Sequence, residues 1–278
     1  MKFTKMHGLG NDFVMVKEID LPEFVELDVL ARSVCDRHFG IGADGLIIAC
    51  PSQTSDIRMR IINSDGSEAE MCGNGIRCFA KYVFEEKMVM ENSMTVETLA
   101  GEMIPVLQWV DEEMQGISVD MNEPHFLSKE IPVNLDVDIV LNHPFDLDGR
   151  SVEITCVSMG NPHCIVYVDD IDSIPLSQWG PFIENHSIFP HKTNVEFVEV
   201  VNDSTLKMRV WERGAAETLA CGTGACATLV ASVLTKQSKR EATVMLAGGN
   251  LHIYWDEHDN HVYMTGPATN VFTGDYII

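Results

Sequence analysis

The sequence predicts an α+β protein of two like halves, each a mostly antiparallel β-structure wrapped around one central helix. Three observations carry this reading. The chain has 278 residues, long for one core and comfortable for two of about 140 residues each. Landmarks of the first half return in the second half in the same order, which marks a duplication. Short β-branched runs alternate with turn signals, and only two segments read strongly as helix, one in each half.

The first landmark is "MHGLGNDFVMV" (6–16), which returns as "SMGNPHCIVYV" (158–168). Each reads as methionine, a glycine, Gly-Asn and then an apolar strand-like run. The second is "AEMCGNGIRC" (69–78), matched by "LACGTGAC" (219–226). Each of these is Cys-Gly-x-Gly with another cysteine soon after. Asn11 precedes Cys72 by 61 positions, and Asn161 precedes Cys221 by 60. Helix patterns follow, over Asn74 to Lys87 and Gly222 to Lys236. Then come "TVETLAGEM" (95–103) and "TVMLAGGNL" (243–251), and each half gives a strand ending in Met and Pro, "ISVDMNEP" (117–124) and "VYMTGP" (262–267). The other strands are carried by runs such as "GLIIAC", "RMRIIN", "VEITCV" and "LKMRVWE". The spacing predicts two domains in a pseudo-twofold relation, 1–117 and 118–264. The last stretch, 265–278, is expected to cross back and complete the first half.

Composition narrows the function classes. With 19 basic against 42 acidic residues the net charge is -23, which repels phosphate backbones and anionic lipid, so neither nucleic acid nor a membrane surface is an expected partner. The opening "MKFTKMHGLGND" has glycines, Asn11 and Asp12 where an export leader needs an apolar run, so a cytoplasmic protein is expected. Thr218 to Thr235 is uncharged over 18 positions. It holds Gly222, Gly224 and Ser232 and lacks an aromatic belt, so it reads as a helix buried on all sides rather than as a membrane span.

The eight cysteines contain no Cys-x-x-Cys, and the long chain and ordinary core favour free thiols in a reducing compartment. Of these, Cys35, Cys50, Cys78, Cys156, Cys164 and Cys226 read as core residues. "GIGADG" (40–45) matches the dinucleotide fingerprint, but a helix pattern precedes it and a strand follows, the reverse of the required order. No histidine spacing suits zinc, and nothing singles out a lysine for a pyridoxal Schiff base. No metal and no cofactor are expected.

The two cysteine motifs carry the chemistry. Each puts a cysteine just ahead of a helix, where unpaired N–H groups and the positive end of the dipole gather. The N–H groups of Gly73, Asn74, Gly222 and Thr223 can hold a carboxylate, and glycine lets it approach. The same field is expected to lower the pKa of the adjacent thiol. Two such thiols, one from each half and facing across a cleft, make a two-base device. One removes a proton from carbon as a thiolate, and the other delivers a proton to the opposite face, inverting a stereocentre. Other readings remain open at this stage. Asn11, Asn63 and Asn161 also suit turns, His163 a structural role and Arg213 the surface. The pair of cysteines would serve a redox or metal-binding protein, and the whole chain a non-catalytic binder.

The segments "KMHGLGNDF", "NSDGSEAEMCGNGIRC", "SMGNPHC", "ERGAAETLACGTGAC" and "MTGPA" together resemble the diaminopimelate epimerase family over nearly the whole chain. That resemblance implies a cofactor-independent epimerase interconverting LL- and meso-2,6-diaminopimelate in lysine and peptidoglycan-precursor synthesis, usually as a homodimer, on a fold of two similar domains. Carried over by position, Cys72 and Cys221 are the catalytic pair and His163 and Glu212 tune them. Asn11, Asn63, Asn161, Asn194, Glu212 and Arg213 contact substrate, and Gly73-Asn74 and Gly222-Thr223 form the amide cradle. The roles make chemical sense. Such a substrate carries a far carboxylate suited to the bidentate fork of Arg213, and a far ammonium suited to Glu212 and asparagine carbonyls. One position departs: Gly45 stands where many family members have glutamine. A sister racemase acting on proline or hydroxyproline is the nearest rival, and it resembles the chain less along its length.

Overall fold

The computed structural model describes residues 1–277. By internal contacts the chain divides into two compact units, Met1–Asp120 with Thr265–Ile278, and Met121–Met264. The first unit opens with β1 (Lys2–Gly8), β2 (Asn11–Lys17), α1 (Leu27–Cys35), β3 (Gly45–Cys50), β4 (Ile57–Asn63), β5 (Glu68–Ala69) and α2 (Gly73–Glu85). It continues with β6 (Val96–Thr98), β7 (Gly101–Met103), β8 (Val106–Val110) and β9 (Glu113–Asp120). Next come β10 (His143–Leu147), β11 (Arg150–Ser158), β12 (Pro162–Tyr167), α3 (Leu176–Glu184), β13 (Asn194–Asn202), β14 (Thr205–Glu212) and β15 (Ala216–Thr218). The series ends with α4 (Gly222–Leu234), β16 (Glu241–Leu246), β17 (Gly249–Trp255), β18 (Val262–Gly266) and β19 (Thr269–Asp275).

One run of strand pairings recurs in both units. β1–β2 and β11–β12 are antiparallel, and β2–β3 and β12–β13 are parallel. β3–β4 and β13–β14 are antiparallel, β4–β6 and β14–β16 parallel, and β6–β7 and β16–β17 antiparallel. β19 borders β1 as β10 borders β11. Parallel neighbours need a crossover, and a helix lies within each: α1 and α3 in the first crossovers, α2 and α4 in the second. The predicted fold class holds: two sheet-rich units with few helices, each around one central helix. α2 packs on β1, β2, β3, β4, β8 and β9, and α4 on β11, β12, β13, β14, β16 and β17.

The central helices start where the sequence places them and stop sooner. Each ends on a lysine in the left-handed region, Lys87 (φ 56) and Lys236 (φ 61). There the Met88 and Gln237 amides bond back to the Val83 and Ser232 carbonyls. This is a Schellman stop, usually marked by glycine, and lysine hides it from a sequence reading. α4 is buried on nearly every side, including Ala225, Leu229 and Val230 at 0% exposure, as its uncharged run predicts. No helix among the described residues is long and apolar enough to cross a membrane.

The sequence reading missed α3, because "LSQWGPFIE" carries Gly180 and Pro181. Burial of Leu176 and Ile183 against Val195 and Phe197 of β13 holds it. Gly180 is required, since a Cβ there would lie 2.5 Å from the Trp211 ring. β13 is buried on both faces. Val195 and Phe197 face the α3 side, so the alternation of a strand sends Glu196 to the opposite face, toward α4.

Candidate active site

Cys72 and Cys221 are the N-caps of α2 and α4. Both have extended backbones, and each sulfur accepts the amide hydrogen three residues on, from Gly75 and Gly224, at 3.4 Å. An N-cap side chain ordinarily satisfies one of the orphan N–H groups of a first turn; here a thiol does so, which aims it at the positive end of the helix.

In the first unit the Cys72 thiol donates to Asn11 Oδ1 at 3.6 Å, and Asn74 Nδ2 donates to the same oxygen at 3.3 Å. Asn11 Nδ2 in turn donates to Asp44 at 2.7 Å. Arg37 binds both Asp44 and Asp12, and Asp12 also pairs with the buried Lys5 at 2.7 Å. Beneath the cap, the fully buried Arg77 donates to the Gly73 carbonyl at 2.9 Å and to Asn74 Oδ1 at 2.8 Å. The first turn is thus clamped from both sides. Asn63 ends β4 opposite Gly45 and donates to Ser67 Oγ at 3.0 Å. At the bare Gly45, a Cβ would sit 3.2 Å from the Ile62 carbonyl.

In the second unit the Cys221 sulfur lies 3.6 Å from the Thr223 hydroxyl, which accepts from Asn161 Nδ2 at 3.2 Å. Asn161 Oδ1 faces His163 Nε2 at 2.9 Å, and His163 Nδ1 faces Glu196 Oε1 at 2.7 Å. Asn194 spends both ends of its amide within the unit, donating to the Pro162 carbonyl at 3.0 Å and accepting the Arg213 amide at 2.9 Å. The second of these bonds fixes the turn that carries Arg213, whose exposed guanidinium donates to the His191 carbonyl at 3.1 Å. Glu212, ending β14, accepts from the Thr218 hydroxyl.

The expected lowering of thiol pKa does not hold for Cys221. Burial pushes that thiol well above its ordinary value, and the Glu212 and Glu196 carboxyls add to the rise. The Thr223 and Gly224 bonds act the other way and lose. Desolvation penalises a thiolate more than one turn of helix rewards it. The six cysteines read as core residues are all buried, and burial, the largest cause, pushes Cys78 up to about 12. Among the described residues no group of three His, Cys, Asp or Glu side chains could hold a metal ion.

A diaminopimelate epimerase family model matches residues 3–127 and 155–271. The chain belongs to the diaminopimelate epimerase family. It is an amino-acid epimerase, an isomerase. Diaminopimelate epimerase of Acetivibrio thermocellus is 55% identical, covering 99% of this chain and 98% of its own. That of Moorella thermoacetica is 53% identical, covering 99% of each. Among solved structures, a phenazine biosynthesis protein of the PhzF family from Bacillus anthracis superposes with a TM-score of 0.73 at 19% identity, over 100% of this chain and 99% of its own. A hydroxyproline epimerase from Agrobacterium vitis gives 0.67 at 15%, over 99% and 90%. At such identities these two show the fold alone.

Three residues of this epimerase escaped the sequence reading: Asp44, Arg77 and Glu196. Asp44 lies within "GIGADG", whose likeness to a dinucleotide fingerprint masks it. Arg77 and Glu196 each break an otherwise apolar run, in "CGNGIRCFA" and "NVEFV". Such a lone charge is a faint signal, and it becomes a strong one only once the structure shows the position to be buried.

Proposed function

We propose that the enzyme interconverts LL- and meso-2,6-diaminopimelate by a two-base mechanism in which Cys72 and Cys221 act on opposite faces of one α-carbon. The observation that carries this is the equivalence of the two caps. One duplicated frame sets a thiol on the third amide of a helix in each unit, with an asparagine, Asn11 or Asn161, in the same network. A thiolate takes the α-hydrogen and becomes a thiol; the other thiol gives its proton to the far face and becomes a thiolate. Protons balance, and no cofactor enters. The first amides of each helix, Gly73 and Asn74 or Gly222 and Thr223, have no intrahelical partner and suit the α-carboxylate as charge builds on it. Raised by burial, Cys221 enters in its protonated form, ready to donate. Arg213 is proposed for the far carboxylate, and Glu212 with Asn63 and Asn194 for the rest of the distal end. His163 bears on the thiols through Asn161. On family grounds we place the enzyme as a cytoplasmic homodimer serving lysine and peptidoglycan-precursor synthesis.

Deuterium exchange in heavy water with LL-diaminopimelate tests this. Wild type is expected to place deuterium at the inverted α-carbon, and Cys72→Ser and Cys221→Ser each to lose roughly 10²–10⁴-fold in turnover, the range for a positioned acid or base. Absence of α-deuterium in wild type defeats the reading. Full turnover by both serine variants defeats the thiol assignment, and turnover of proline in its place favours the sister racemase.

A further inference from the structure

We propose that Glu196 is a positioning residue: a proton shared between its Oε1 and His163 Nδ1 sets the direction of a hydrogen-bond chain that runs through Asn161 and Thr223 to the Cys221 sulfur. The proposal rests on the two-thiol reading above.

The direction follows from the donor inventory. Asn161 turns Nδ2 to Thr223, so its Oδ1 faces His163 and can only accept. His163 Nε2 therefore carries hydrogen. Its Nδ1 lies 2.7 Å from Glu196 Oε1, so a proton must lie between them. The Thr223 hydroxyl, accepting from Asn161, has its own hydrogen left for the sulfur 3.6 Å away. Together with the Gly224 amide, that makes two donors on Cys221, which is what a thiolate needs at the moment it forms.

Two further facts single out Glu196. Its side chain is fully buried, and its Oε2 has no hydrogen-bond partner among the described residues. A bare oxygen is cheaper on a neutral acid than on an anion, and burial raises this carboxyl accordingly. The duplication also supplies an internal control. His163 pairs with Asn194 at the head of β12 and β13, as Phe13 pairs with Gly45 at the head of β2 and β3. Two residues on in β13 and β3 stand Glu196 and Ile47. A Cβ on Gly224 would touch Glu196, and a Cβ on Gly75 would touch Ile47. The fold itself thus accepts an apolar pair at this place, and only the second unit installs a titratable one. The ionisable groups around Glu196 are His163 and Cys164 of β12, Glu212 of β14 and Cys221 at the start of α4; α3 lies on the other face of β13.

The test compares E196Q with E196I, which installs the side chain that Ile47 supplies in the other unit. An amide can donate to Nδ1 as the protonated acid does, so E196Q is expected within threefold of wild-type kcat. E196I is expected to lose about 10–100-fold in kcat with KM within twofold. In a Cys72→Ser background, where the readout needs no turnover, E196I should show a pH midpoint of Cys221 alkylation half a unit or more above that of E196Q: both lack the carboxyl that adds to the rise of this thiol, and only the amide keeps the chain directed. Imidazole ¹⁵N NMR of the unmutated enzyme should show hydrogen on His163 Nε2 at neutral pH. Wild-type kcat in E196I, coincident alkylation midpoints in E196I and E196Q, an E196Q as impaired as E196I, or a neutral His163 with bare Nε2 would each overturn the proposal. Failure of the two-thiol reading shows separately, as turnover surviving in Cys221→Ser.

Discussion

Gly224→Ala and Gly75→Ala make the same change at equivalent third positions of the two central helices, and the structure requires them to differ. A methyl at 224 would lie 2.7 Å from Glu196 Oε1, 3.2 Å from Cys221 Sγ and 3.3 Å from Cys221 Cβ. Non-bonded heavy atoms settle near 3.5–4.0 Å, so the overlap with oxygen approaches an ångström. Glu196 is fully buried and held by His163, so the overlap must displace one of them or the sulfur. Overpacking of this kind costs about 1–3 kcal/mol, offset by about 1 kcal/mol of helix propensity on replacing glycine. The net expectation is a loss of up to about 2 kcal/mol and, because the overlap displaces the sulfur or the pair behind it, at least a tenfold loss in kcat. At 75 the nearest atom is Ile47 Cδ1 at 3.1 Å, the free end of a flexible side chain, with Cys72 Sγ at 3.6 Å. A shift of a few tenths of an ångström relieves it, so stability should stay within about 1 kcal/mol of wild type, by the same propensity offset, and kcat within threefold. Urea denaturation of both variants, with initial rates of α-hydrogen exchange, decides the matter. Equal behaviour, or the larger loss at Gly75, would refute the claim that a fixed carboxyl stands behind Cys221.

Three further outcomes follow from the same geometry. Arg77→Met strips buried donors from the Gly73 carbonyl and Asn74 Oδ1; it should cost about 3 kcal/mol or more in urea denaturation. Asp12 is raised by burial, but Arg37 and Lys5 outweigh that and hold it down to about 2. A depressed carboxyl contributes stability above its unfolded value and loses it as pH falls through about 2, so Asp12→Asn should cost about 1–2 kcal/mol at pH 7, and the gap to wild type should close between about pH 4 and pH 2. For Cys78 the sign reverses. Raised from 9.0 to about 12, the thiol keeps its proton in the folded state after the unfolded chain has lost it. Stability therefore falls as pH rises across that window, and Cys78→Ala should make the slope above pH 9 less negative by up to about 1.4 kcal/mol per pH unit.

What the sequence disclosed, and what it hid, divides along physical lines. The central helices, the N-cap cysteines and the repeat were legible because each leaves a local mark: an apolar period, a Cys-Gly-x-Gly turn, an echo at a fixed interval. The helix stops were not, because Lys87 and Lys236 adopt the left-handed conformation usually given to glycine. α3 was hidden because Gly180 and Pro181 read as a turn, while the tolerance of that glycine comes from a tryptophan 31 positions on. Glu196 and Arg77 were missed for a deeper reason. Nothing local says that a glutamate in a strand or an arginine in a helix points inward; only the packing of α4 over β13, and of α2 on its sheet, buries them. The helix-start argument placed each cysteine at its N-cap but, for Cys221, gave the wrong direction of shift, because burial outweighs the hydrogen bonds of the helix start and burial is a tertiary quantity.

If the two thiols act as the proposed pair of bases, a duplicated frame explains why they need not be alike. Duplication supplies two identical N-caps at once, but an inversion needs one proton carrier loaded and the other empty at the start of each turn. Identical environments would give both thiols the same affinity for a proton. The chain breaks that equality without altering the backbone, at positions whose first-unit counterparts are Phe13 and Ile47, both buried and apolar. Their replacement by His163 and Glu196 puts a buried, proton-holding pair behind Cys221 alone. Cys72 is instead left half-buried against Asn11, whose partner Asp44 opens toward solvent. On the proposed reading, the asymmetry that the chemistry needs is thus placed in two side chains of the second unit, while the repeat of the two N-caps stays in the fold.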